Sequence, residues 1–218
     1  MKIDVPLAIP EDAEFPECED RSQLDRWLWR HIQIPQLLYL ITTLNADGSP
    51  NCEVNNRGLP FGPLPTQQFA FVCWREHHTA QNVLRDREFV VNIPGATILE
   101  EAWKTARAYD CGTDEIAESG LTSVDARVVR PPRIRECTLH LECELDWYRA
   151  VGEAGMILFC GRIVAASGDR EALAGDVERK LAYVRPVFVM PHGIDTTRMR
   201  LTGTGAAVAE LGRIRQTG

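Results

Sequence analysis

Apolar positions along the chain change period several times, and each change marks an element. Leu24, Trp27, Leu28, His31 and Ile32 recur at i, i+3, i+4, i+7 and i+8, which predicts an amphipathic helix after an acidic, proline-containing opening. From Pro35 the period shortens. Apolar runs over residues 37–44 and 49–56 flank Asn45-Ala46-Asp47-Gly48. Asp-Gly between two such runs predicts a hairpin, because glycine tolerates the positive φ that closes the turn. Residues 69–74 predict a strand buried on both faces, and residues 89–93 another, closed by Pro94-Gly95. Between them a short helix is predicted, with Thr79 capping its first turn, Ala80, Val83 and Leu84 facing inward, and Arg85 and Arg87 near the negative end of its dipole. Thr97-Ile98-Leu99-Glu100 has capping-box spacing and predicts a further helix running to about Tyr109.

After Pro131-Pro132, Leu139, Leu141, Cys143, Leu145 and Trp147 alternate with His140, Glu142, Glu144, Asp146 and Tyr148, the pattern of a strand with one dry and one wet face. A turn over residues 152–155 leads into residues 156–166, apolar on both faces apart from Arg162. Leu173, Val177, Leu181 and Val184 then predict a helix with those side chains inward, followed by a short strand over residues 187–190. Six or more short strands joined by hairpins, with helices inserted at two points, argue for a mainly β protein built on a closed or nearly closed antiparallel barrel. Three parts are expected: residues 1–34 as an acidic extension plus amphipathic helix, 35–193 as the barrel domain, and 194–218 as an extension suited to a partner subunit.

Size and charge narrow the function classes. A chain of 218 residues buries roughly 70% of its unfolded surface, so no disulfide or metal staple is needed for stability. With 31 acidic and 24 basic residues the net charge is −7, which repels phosphate backbones and argues against nucleic-acid binding. No apolar stretch approaches the roughly 20 residues that span a bilayer. Residues 1–20 set Lys2 against seven acids and lack an apolar core, so no secretory signal is read there and a cytoplasmic location is expected. Seven cysteines without a CxxC spacing are expected to be reduced and mostly buried thiols.

Several motifs fail. Gly203-Thr204-Gly205 lacks the third glycine and the following βαβ unit of a dinucleotide loop. Strand alternation places His140 opposite Cys137 and Cys143, so these three do not converge on an ion, and no metal centre is expected. GxSxG, HExxH and GxxxxGK are missing, and Cys73 with His77 has no context that marks a nucleophile pair.

Three other stretches carry chemistry when taken together: Asn51-Cys52-Glu53-Val54-Asn55-Asn56, Trp74-Arg75-Glu76-His77-His78-Thr79-Ala80-Gln81-Asn82, and Glu88-Phe89-Val90-Val91-Asn92-Ile93-Pro94. In the second, Arg75, His77 and His78 supply positive charge or donors, and Thr79 with the free N–H groups of a helix start suits an anionic headgroup. A solvated loop in which Thr79 caps the helix is the plainer alternative. The first stretch ends a strand with amides, which offer donors and acceptors to the edge of a flat heterocycle, or form a polar edge strand.

The order of Pro35-Gln36-Leu37-Leu38-Tyr39-Leu40-Ile41-Thr42-Thr43, Asp47-Gly48, Asn51, His78-Thr79-Ala80-Gln81-Asn82, Glu88-Phe89-Val90-Val91-Asn92-Ile93-Pro94, Gly120-Leu121-Thr122, Pro132-Arg133-Ile134 and Leu141-Glu142-Cys143 resembles the flavin reductase-like, FMN-binding split-barrel proteins. The resemblance covers about residues 35–192. It implies an antiparallel Greek-key split β-barrel, a homodimer, and FMN held noncovalently near the subunit interface. It also implies that Asn51, Cys52, Glu53, Val54, Asn55 and Asn56 line the isoalloxazine, and that Arg75, His78, Thr79 and Asn82 hold the ribityl phosphate with Asn92 nearby. The implied activity is electron transfer from NADH or NADPH through FMN to a flavin, a metal complex or a protein such as a monooxygenase partner. No acid or base of the chain is required for it.

The chain departs from that pattern twice. NAD(P)H-dependent members carry Gly-Asp-His entering the last long strand, where this chain has Ala154-Gly155-Met156. Val54 and Asn56 replace a small residue and a Ser or Thr, and Asn56-Arg57-Gly58 follows. Two further readings therefore stay open: a flavin-holding electron carrier without its own nicotinamide site, and a noncatalytic dimeric interaction protein on the same fold.

Overall fold

The computed structural model describes residues 34–152 and 155–189, so the helix predicted around Leu24 to Ile32, the residue Ala154 and the extension over residues 194–218 lie outside the described residues. The fold described below belongs to the compact unit that runs over Leu37–Val187. In the other unit, Phe188–Val189 form a two-residue strand within the predicted residues 187–190.

Strands β1 (Tyr39–Leu44) and β2 (Pro50–Asn55) form the predicted hairpin, with Tyr39 opposite Asn55 and Leu44 opposite Pro50. Gly48 takes φ +87° in its turn, and Asp47 Oδ1 accepts from the Ser49 N–H at 3.0 Å. β3 (Gly58–Phe61) and β4 (Gln68–Trp74) follow, then helix α1 (His78–Asp86) and β5 (Glu88–Ile93). A segment with helices α2 (Leu99–Lys104) and α3 (Glu115–Glu118) and the short strands β6 (Ser123–Val124) and β7 (Arg133–Ile134) precedes the long strands β8 (Leu139–Val151) and β9 (Met156–Gly168). Helices α4 (Arg170–Leu173) and α5 (Val177–Val184) come last.

The main sheet has seven strands in the order β2-β1-β5-β8-β9-β4-β3, with every neighbouring pair antiparallel. Its end strands, β2 and β3, are consecutive in the chain. Asn55 draws these ends together: its Oδ1 accepts from the Tyr39 hydroxyl at 2.9 Å, and its Nδ2 donates to the Val72 carbonyl of β4 at 2.9 Å. The result is the mainly β split barrel expected. Tyr39, Ile41, Phe69, Phe71, Phe89, Val91, Ile157 and Phe159 fill its interior, and Phe71 lies 5.1 Å from Phe89 and 5.2 Å from Phe159 between ring centres. A Cβ at Gly161 would run into the Phe89 ring, so glycine there lets the ring cross β9.

Four local expectations are corrected. The outer face of β8 is not wet over its first half: Glu142 is 1% exposed because the segment before β7 lies over it, and its carboxylate accepts from the backbone N–H groups of Arg127 (3.0 Å) and Val128 (2.8 Å). Trp147, expected on the dry face, is 42% exposed. The helix predicted from Thr97 to Tyr109 ends at Lys104, with a 3₁₀ turn over Ala96–Ile98 and no side-chain cap. The single helix predicted through Leu173 and Val177 is two helices, and both residues are exposed while Val184 is buried. Six free thiols are described, five of them buried.

Candidate functional site

The β1–β2 hairpin and the start of α1 meet in a buried polar network. On β2, Asn51, Glu53 and Asn55 share one face by strand alternation, which makes a row of amide, carboxylate and amide. Asn51 is 1% exposed, with its amide 2.9 Å from both Thr43 Oγ1 and Thr79 Oγ1. The network is satisfied when the amide oxygen faces these hydroxyls and the NH₂ faces Glu115 Oε1 at 3.3 Å. Thr43 then donates to Asn51 and accepts from Asn82 Nδ2 (3.0 Å), which also donates to Asn45 Oδ1 (3.1 Å). Asn51 thus meets Thr79 directly and Asn82 through Thr43.

Thr79 does not cap the helix. The N-cap position belongs to His77, whose side chain makes no capping bond, and Thr79 points inward to Asn51. The first turn of α1 contains no acidic residue to offset its positive end. Arg75 is exposed just before this turn, and its backbone N–H donates to the Gly155 carbonyl at 2.8 Å. Gly155 itself takes φ +74° in the β8–β9 turn. The loop is therefore tied to the point where the resemblance departs from its pattern.

The other sequence-predicted residues divide between roles. Cys52 is buried, and its backbone N–H donates to Glu115 Oε2 at 2.9 Å. Val54 and Asn56 are half-buried. Asn55 closes the barrel, as described. Asn92 is fully buried, accepts from the Ile134 N–H at 2.9 Å and donates toward Leu40, Thr42 and Val90, with no partner shared with the Arg75 loop. His78 Nδ1 lies 3.8 Å from Glu115 Oε1.

Glu115 is a participant that sequence reasoning missed, since it starts a four-residue helix capped by Asp114 and no local pattern marks it. Burial pushes its carboxyl up to about 7, against the Cys52 N–H that favours the carboxylate. A raised carboxyl contributes stability that is fully present below its unfolded value of 4.5 and is lost as pH rises through about 7. The whole loss amounts to about 3 kcal/mol. Melting temperature should therefore fall between pH 5 and pH 8 by roughly 5 °C, and Glu115→Gln should flatten that fall.

A second cluster joins three segments. Glu53 Oε1 lies 3.0 Å from His77 Nδ1, and the Cys73 thiol donates to Glu53 Oε2 at 3.2 Å. The Glu53 hydrogen bond raises the His77 pKa, and burial followed by the Glu53 charge holds the Cys73 thiol protonated.

Residues 30–188 match the family model of the Flavin reductase like domain. The chain belongs to that family. The flavin reductase-like chain is 27% identical over 122 residues to the YwrF protein of Bacillus subtilis (strain 168), a match that covers 52% of this chain and 57% of that one. It thus spans less than two thirds of the length of this curated relative. Among solved structures, nitrilotriacetate monooxygenase component B from Bacillus cereus superposes with a TM-score of 0.73 at 19% identity, covering 93% of this chain and 98% of that one. A flavin reductase-type protein with a split barrel domain from Shewanella frigidimarina NCIMB 400 superposes with a TM-score of 0.67 at 21% identity, covering 77% and 82%. These likenesses establish the split-barrel fold. Among the described residues, no helix is long and apolar enough to cross a membrane.

Proposed function

We propose that the chain binds FMN noncovalently between the Arg75–Asn82 loop and the Asn51–Asn56 strand. In this reading it works as an oxidoreductase that passes electrons from NADH or NADPH to a flavin, a metal complex or a protein acceptor. The observation that carries this reading is the N-terminus of α1, whose first turn holds no acidic residue of its own and whose N-cap side chain makes no capping bond, next to the exposed Arg75. A dianionic phosphate is the ligand such an end favours, through N–H groups, the helix dipole and one guanidinium.

The residues fit the group. Arg75 and His78 would hold the phosphate, with Thr79 and Asn82 fixing the helix start from below. The Asn51–Asn56 strand would face the ring edge, through Val54 and Asn56 and through backbone N–H and carbonyl groups. Bound FMN supplies the hydride-accepting and electron-passing chemistry. The chain orients it and limits water, and no side chain is assigned a proton transfer. A second copy of the chain would complete the site in a homodimer; Leu59, Phe61 and Leu64, exposed at and beyond the edge strand β3, suit such a contact. A monooxygenase or another electron-transfer protein would be the acceptor when electrons pass to a protein.

One observation favours the carrier reading, in which another protein reduces the flavin. Gly155 and Met156 stand where NAD(P)H-dependent members have Asp-His, and Gly155 is occupied in the turn that holds the Arg75 loop. Steady-state oxidation of NADH or NADPH by the FMN-loaded protein tests the choice. Turnover with either nucleotide supports the reductase. No turnover with either, combined with rapid reduction by a partner, assigns the carrier.

A further inference from the structure

We propose that Glu53, Cys73 and His77 form a binding site for one divalent transition-metal ion of the Zn²⁺ class. The three residues come from the middle of β2, the end of β4 and the N-cap of α1, and their ligand atoms all lie within 4.8 Å of one another. Tetrahedral Zn²⁺ with sulfur at about 2.3 Å and nitrogen or oxygen at about 2.0–2.2 Å places its ligand atoms roughly 3.3–3.7 Å apart. Glu53 already sits 3.0 Å from His77 Nδ1 and 3.2 Å from Cys73 Sγ, so the cluster needs only a small adjustment to surround an ion.

The charges and donors also suit a cation. Thiolate, imidazole and carboxylate are the ligand set that Zn²⁺ and Co²⁺ prefer over Mg²⁺ or Ca²⁺. Thiolate and carboxylate together balance the two positive charges. In the metal-free protein the same atoms are bridged by protons: the thiol donates to one Glu53 oxygen and His77 pairs with the other. Metal binding would release the thiol proton to solvent and leave His77 Nδ1 without a proton, the neutral ring keeping its one proton on Nε2. Burial and the Glu53 carboxylate hold the Cys73 thiol protonated, with the Ala80 N–H a smaller opposing pull, so the ion must displace that proton. The Arg57 side chain lies near the cluster and acts on His77, so its charge is a cost that the ion must offset.

The site is open on one side. The His77 side chain is 42% exposed and Glu53 18%, whereas Cys73 is 1% exposed, so a thiol at the floor is reached from a wet rim. Three protein ligands with an accessible fourth position leave room for a water or a small exogenous ligand. This assignment does not depend on the flavin reading, although Glu53 belongs to the strand proposed to line the ring.

The test is titration of the full chain, treated with chelator and then with Co²⁺ alone, in FMN-loaded and FMN-free samples, read as difference spectra together with metal content. The expected result is one Co²⁺ per chain with an intense thiolate-to-cobalt charge-transfer band in the near ultraviolet, displaced by Zn²⁺. Cys73→Ser should abolish the band, and His77→Asn should weaken binding about tenfold or more. Cys73 is buried and its variant can fail to fold, so His77→Asn at an exposed position and Glu53→Gln at a half-buried one carry the test in that event. No thiolate band, or equal Co²⁺ affinity in the wild type and His77→Asn, overturns the proposal. Metal binding without FMN binding would contradict the flavin reading alone.

Discussion

Glu142→Ala should destabilise the protein by about 3–4 kcal/mol, measured as a shift in the denaturant midpoint at unchanged slope. The carboxylate is buried and gathers the backbone N–H groups of Arg127, Val128 and Val129 at 2.8–3.4 Å. Charge-assisted bonds of this kind are worth about 1.5–3 kcal/mol each, and they are not additive when they fix one short segment. Alanine would leave these donors without their acceptor beside an apolar sheet. The segment also brings the Pro132 carbonyl to the Thr42 hydroxyl (2.5 Å) and the Ile134 N–H to Asn92 (2.9 Å), so its release would loosen β1 and β5 together. Glu142→Gln keeps one acceptor oxygen and should lose less. A loss below about 1 kcal/mol for alanine would mean that water replaces the carboxylate without penalty.

Arg75→Ala should weaken FMN binding 10- to 100-fold, read as a change in the dissociation constant from quenching of flavin fluorescence. A guanidinium-to-phosphate contact contributes about 1.5–3 kcal/mol, and each 1.4 kcal/mol is a factor of ten. The effect should be confined to binding. Arg75 is exposed and touches the rest of the chain through its backbone bond to Gly155, so the FMN-free variant should stay within roughly 0.5 kcal/mol of the wild type. Unchanged FMN affinity would place the phosphate elsewhere.

Much of the barrel was legible in the sequence, because its signals are local. Asp47-Gly48 announces a two-strand hairpin, the apolar run from Phe69 announces a doubly covered strand, and the glycine turn before Met156 joins the two long strands. Features that depend on distant segments were not legible. Alternation along β8 cannot reveal that residues 127–129 fold over Glu142, nor that Trp147 lies beyond the covered stretch. Helical spacing through Leu173 and Val177 likewise says nothing of the break between α4 and α5. At the site, residue types announced a polar, cation-bearing loop, and the structure bonds Asn51 to Thr79 directly and to Asn82 through Thr43. Asn55 and Asn92 show the limit: an amide looks the same in sequence whether it faces a ligand or ties two strands together. The Glu53, Cys73 and His77 cluster was hidden because its members converge from β2, β4 and the N-cap of α1.

The most direct measurement is the absorption spectrum of the purified protein, followed by titration of flavin-free protein with FMN. A yellow protein is expected or, after stripping, saturable binding of one FMN per chain with a rise in melting temperature. At a hundred times the dissociation constant that rise corresponds to about 2.7 kcal/mol. A colourless protein that takes up no FMN and shows no thermal shift would contradict it.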